Sequence, residues 1–71
     1  MLSSIDLINL ENNIRDMKTF LFRKLEVMDK EENYITFQHN DILVGVRYNK
    51  DFFIIYKIDD NKKTKIKKLE W

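Results

Sequence analysis

Seventy-one residues leave room for one hydrophobic core and no second domain, and the absence of cysteine excludes a disulfide framework and any thiolate metal site. The net charge of +1 hides an asymmetry, because residues 1–46 hold five Lys/Arg against eight Asp/Glu and residues 47–71 hold eight against four. No apolar run reaches the length of a membrane span, and the N-terminus lacks the basic and apolar regions of a signal peptide, so a cytoplasmic location is expected.

The first predicted element is a helix over about residues 4–28. Ser3-x-x-Asp6 reads as a short capping box, with Leu2 able to staple onto Leu7. Leu7, Leu10, Ile14, Met17, Leu21, Leu25 and Met28 then recur at three- and four-residue steps, which is the apolar stripe of an amphipathic helix. Glu11, Arg15, Asp16, Lys18 and Arg23 take the other side, Phe20 and Phe22 flank the stripe, and Asn33 is the expected left-handed exit. Such a helix would span ~37 Å, whereas a seven-residue strand covers about 23 Å and four strands side by side ~19 Å. The excess predicts a bend near Asn12-Asn13, or first turns that rest on something else. Heptad-like spacing leaves a coiled-coil dimer as an alternative.

Three runs rich in β-branched and aromatic residues follow, at about 34–39, 42–48 and 52–58, split by His39-Asn40-Asp41 and Asn49-Lys50-Asp51. That pattern predicts an antiparallel meander. A two-residue turn at Asn40-Asp41 opposes His39 to Ile42, Phe37 to Val44 and Ile35 to Val46. A three-residue loop at Asn49-Lys50-Asp51 opposes Tyr48 to Phe52, Val46 to Ile54, Val44 to Tyr56 and Ile42 to Ile58. Partners across strands share a face, so Ile35, Phe37, Ile42, Val44, Val46, Tyr48, Phe52, Ile54, Tyr56 and Ile58 form the expected core face.

The opposite face then reads Tyr34, Thr36 and Gln38, then Leu43, Gly45 and Arg47, then Phe53, Ile55 and Lys57. Arg47 falls in a row with Tyr34 and Phe53, where it can lie against their rings. The only glycine of the chain marks a bulge or a close approach by another backbone. After the turn cluster Asp59 to Lys63, a lysine-rich fourth strand at about 64–70 is expected at the edge. With Ile66 turned to the core opposite Tyr56, Lys65, Lys67, Leu69 and Trp71 join the open face, and Leu69 lies opposite Phe53.

Catalytic signals are weak. His39, the only histidine, sits at a turn with Asp41 two residues on, a spacing that suits turn hydrogen bonding better than base chemistry. Ser3 and Ser4 belong to the cap, and no glycine-rich loop precedes a helix to hold phosphate. Asp59-Asp60-Asn61 lacks the glycine and closing glutamate of a calcium loop, and Asp29, Glu31 and Glu32 read as a solvated loop. No metal, cofactor or catalytic residue is expected.

The predicted fold is therefore α+β, an N-terminal amphipathic helix packed on one face of a four-stranded antiparallel meander in a single domain, 1–71. The expected function is non-enzymatic protein binding through Tyr34, Leu43, Arg47, Phe53, Ile55, Lys57, Leu69 and Trp71, rings and aliphatics with a cationic rim. The partner would be a host protein or a second copy, at the open face or the overhanging helix end. The Lys-, Asn- and Ile-rich, proline-free composition accompanies AT-rich genomes and suggests a phage or mobile-element factor. The alternative is an RNA- or ssDNA-binding protein, in which Tyr34, Phe53 and Trp71 stack bases and Lys62, Lys63, Lys65, Lys67 and Lys68 track phosphates.

Overall fold

The computed structural model describes the backbone of residues 4–71 and the side chains of residues 6–71. The expected cap at Ser3 and the Leu2 half of the staple lie outside the described residues. Two helices, α1 (Ser4–Asp16) and α2 (Lys18–Met28), precede four strands: β1 (Asn33–His39), β2 (Ile42–Tyr48), β3 (Phe52–Asp59) and β4 (Lys62–Glu70). The strands form one antiparallel sheet in the order β1-β2-β3-β4. The α+β meander is as the sequence predicts.

The expected single helix is two. Its break falls at Met17 (φ −90°, ψ 2°) and not at Asn12-Asn13. There the Met17 amide bonds back to Ile14 (3.0 Å), a tightened turn, and the ladder restarts from Met17 O to Leu21 N (2.8 Å). No glycine or proline marks the place. Both halves keep their apolar side in one core across this break. Leu10, Ile14, Leu21 and Leu25 are all at most 1% exposed, and burying each such side chain stabilises by ~1.5–3 kcal/mol.

The last residue of the stripe, Met28, lies outside this contact and is exposed. The helix exit is also earlier than expected. Asp29, not Asn33, takes the left-handed conformation (φ 52°, ψ 50°). Lys30 N reaches Leu25 O (2.9 Å) while Asp29 N reaches Glu26 O (3.2 Å), closing the helix in a Schellman motif. Asn33 is thereby free to open β1.

The first hairpin has the expected register, His39 opposite Ile42 and Ile35 opposite Val46. Asn40 (φ 56°) supplies the left-handed residue for which a turn usually uses glycine. The second hairpin is shifted by one residue. Tyr48 faces Phe53, Val46 faces Ile55 and Gly45 faces Tyr56, so every side chain of β3 lies on the face opposite to the expected one. The cause is Asn49. Its side-chain oxygen accepts from the amides of Asp51 (2.8 Å) and Phe52 (2.9 Å), and its own amide donates to Phe52 O (3.1 Å). Asn49 thus opposes Phe52 across a two-residue turn, Lys50-Asp51, where three residues were expected.

The third hairpin turns at Asp60-Asn61, both left-handed (φ 49° and 67°), the pattern of a primed two-residue turn. β4 consequently starts at Lys62, two residues early. Leu69 opposes Phe53 as expected, but both face the helices. A bulge between Ile55/Tyr56 and Lys65/Lys67 leaves Ile66 without a partner. Ile66 still packs against the core, although Tyr56 is paired with Lys65.

The core is Leu10, Ile14, Leu21, Leu25, Val44, Val46, Tyr48, Phe53 and Ile55. Its one deep polar atom is satisfied, since the Tyr48 hydroxyl donates to Leu21 O (2.8 Å) and accepts from Asn33 (3.2 Å). Lys67 turns to the helix side, where Nζ lies 3.1 Å from Glu11 Oε1. That contact is an ion pair of close approach without the alignment of a hydrogen bond.

Candidate functional site: the open face of the sheet

Alternation along the four strands decides which side chains face away from the helices. Tyr34, Thr36 and Gln38 come from β1, and Leu43, Gly45 and Arg47 from β2. The shifted register brings Phe52, Ile54, Tyr56 and Ile58 from β3, and the bulge brings Lys63, Lys65 and Lys68 from β4. Of the eight residues expected to bind a partner, Tyr34, Leu43 and Arg47 are on this face. The other five, Phe53, Ile55, Lys57, Leu69 and Trp71, are on the helix side.

Phe53 and Ile55 are fully buried. Trp71 lies against Phe53 (4.4 Å between ring centroids), Phe22 (5.3 Å) and Tyr48 (6.3 Å). Its indole N–H donates to Asn49 O (2.6 Å), and Arg15 clasps the chain beside it through Trp71 O and Glu70 O, both 2.9 Å away. The cation over Phe53 is also Arg15 (5.3 Å) and not the expected Arg47. Of the five lysines expected to track phosphates, Lys63, Lys65 and Lys68 face outward, whereas Lys62 and Lys67 alternate to the helix side.

The open face is a platform of rings under cations. The Tyr34 ring leans over Gly45, where a Cβ would lie 2.8 Å from Cζ and collide with the hydroxyl. The pairing runs regularly through Gly45, so there is no bulge at it, and the group that comes close is a side chain and not the expected second backbone. Tyr34 and Tyr56 meet edge to face at 6.4 Å. Lys63 Nζ lies over both, 4.7 Å and 5.1 Å from their centroids, and Lys68 Nζ lies 4.1 Å from that of Phe52. Each such contact is worth ~0.5–1 kcal/mol at an exposed site. Arg47, Lys63, Lys65 and Lys68 face Glu70 as the sole carboxylate on these strands' outer side. Acidic residues gather instead in the connections, at Asp29, Glu31, Glu32, Asp41, Asp51 and Asp60.

Phe52, Ile54, Tyr56 and Ile58 were not among the expected site residues. The signal that finds them is Asn49 at the start of its turn, whose side chain mimics a backbone acceptor. The other polar group of note is His39. It is 9% exposed, accepts from the Asn13 amide at Nδ1 (3.3 Å), and has no partner at Nε2. Among the described residues no three His, Cys, Asp or Glu come close enough to hold a metal ion, and no helix is long and apolar enough to cross a membrane. No protein family matches this sequence, and no curated protein or solved structure matches it either.

Proposed function

We propose that this chain is a non-enzymatic, cytoplasmic binding module whose open sheet face takes single-stranded nucleic acid. The observation that carries this reading is the coincidence of Tyr34, Tyr56 and Phe52 with Lys63 and Lys68 lying directly over their rings. Ring faces stack bases with little regard to sequence, and flexible ammonium groups that leave the rings can follow the phosphates. The positive charge that such binding needs is concentrated on this one face although the whole chain is near neutral.

A second reading, docking of a protein partner through apolar contact, is supported by the aliphatic residues among the rings. Leu43 is 42% exposed, and Ile54 and Ile58 are half-buried. Bases do not require them, and a protein interface does.

Titration of labelled single-stranded RNA and DNA oligonucleotides against the purified chain, at increasing salt, separates the two. Three or four phosphate contacts give a slope of log K against log salt of roughly −2 to −3. Tyr56→Ala weakens binding by ~1–3 kcal/mol. Lys63→Ala makes the slope shallower by about 0.7. The Trp71 emission maximum stays where it is, because that ring packs on the other side of the sheet. Absence of binding to either oligonucleotide, or binding indifferent to salt, overturns the nucleic-acid reading. Salt-insensitive capture of a host protein that Leu43→Asp abolishes would favour the docking reading.

A further inference from the structure

The sheet has two free edges, and they are built differently. β4 has the sequence Lys62–Glu70 with five lysines and a bulge at Ile66, two devices that keep an edge from pairing with another chain. β1, Asn33–His39, reads NYITFQH. It has no lysine, no proline, no carboxylate and no bulge, and its ladder to β2 is regular along its whole length. We propose that β1 is a pairing edge, and that its partner is β1 of a second copy of this chain, antiparallel about a two-fold axis at Thr36.

The backbone geometry decides which groups are available. His39 and Ile42 flank a two-residue turn, so they form a hydrogen-bonded pair, and alternation makes Phe37, Ile35 and Asn33 the other residues bonded to β2. The amide and carbonyl groups of Tyr34, Thr36 and Gln38 therefore point away from the sheet. In the two-fold arrangement Tyr34 opposes Gln38 of the second copy, Thr36 opposes its own equivalent, and each of the outward groups gains a partner. No other register of β1 against itself uses all of them.

Faces agree as well. Residues of equal parity oppose one another, so both pairs of helices lie on one side and both open faces on the other. Ile35 and Phe37, which retain partial exposure on the helix side, meet each other's equivalents across the seam. The seam also carries no like charges, whereas two β4 edges would set lysine against lysine. A chain of this size buries a smaller share of its surface alone than a larger domain does, and association supplies more. The proposal stands independently of what the open face binds.

The test uses the full chain without nucleic acid. Sedimentation equilibrium over roughly 10–500 µM, with amide exchange resolved by residue, reads both mass and edge. The wild type is expected to approach twice the monomer mass, with the Tyr34, Thr36 and Gln38 amides protected in step with dimer formation. Thr36→Lys sets two ammonium groups opposite each other and is expected to raise the dissociation constant at least about tenfold, with the three amides returning to fast exchange. Thr36→Pro removes an amide that the β1–β2 ladder does not use, and repeats the test by a different chemistry should the lysine variant fail to fold. A wild type that stays monomeric across the range overturns the proposal. So does a dimer in which the three amides exchange freely, or one that both variants leave intact.

Discussion

β3 supplies large apolar side chains to both faces of the sheet, and the two faces have opposite fates. Phe53 and Ile55 are fully buried under the helices. Phe52, Ile54, Tyr56 and Ile58 are half-covered on the other side, where lysines lie over Phe52 and Tyr56. Hydrophobicity alone favours the other assignment, since Phe52, Ile54, Tyr56 and Ile58 are all apolar whereas the alternation of Phe53 and Ile55 includes Lys57. What separates them is what waits on each side. On the helix side Phe53 finds the Trp71 and Tyr48 rings and the Arg15 guanidinium. The open side offers the edge of the Tyr34 ring, a half-exposed Leu43 and the stems of Arg47 and the lysines. A strand that is apolar on both faces takes its orientation from its turn and its neighbours.

The largest effect expected from this contrast is on paired truncations. Phe53→Ala should cost about 3–5 kcal/mol and Phe52→Ala under ~1 kcal/mol, read from urea midpoints at constant slope. Equal costs would mean that the β2–β3 register is not the one described. Asn49→Ala removes the acceptor of two amides and should cost about 1–2 kcal/mol. If Asn49 selects the register, the variant also weakens cross-strand nuclear Overhauser contacts between Tyr48 and Phe53.

Tyr48→Phe breaks the bond to Leu21 O that ties α2 to the sheet, for about 1 kcal/mol. A larger loss would point to a role of the hydroxyl beyond its bonds with Leu21 and Asn33. The smallest effect belongs to Gly45→Ala. The new methyl meets the far end of the Tyr34 side chain, which swings aside, so stability should change by only a few tenths of a kcal/mol. Binding at the open face should nevertheless fall, because the ring platform is disassembled. A large loss of stability from Gly45→Ala would show that Tyr34 is fixed in place.

Different parts of the fold were legible to different degrees. The helical stripe from Leu7 to Leu25, the four strands and the first hairpin could all be read, because periodicity and turn residues agreed there. Met17 could not be identified as a break, since nothing local distinguishes it. The candidate site was half legible. Tyr34, Leu43 and Arg47 follow from the first hairpin, while the β3 and β4 contributions depend on a one-residue difference in a turn. That difference exchanged Phe53, Ile55, Leu69 and Trp71 for Phe52, Ile54, Tyr56 and Ile58.

Alternation and spacing in the sequence alone determined the α+β class, the meander order and the uncharged character of β1 against the lysines of β4. They are local properties, carried by each segment wherever it lies. The tertiary structure decided which side of β3 is sealed, where the helix bends and which lysines cover rings. Those outcomes depend on contacts between residues far apart in the chain, such as Trp71 with Phe53 and Asn49, or Leu21 with Tyr48. No pattern within one segment encodes them, because each is set by which distant residues meet and not by the alternation of the segment itself.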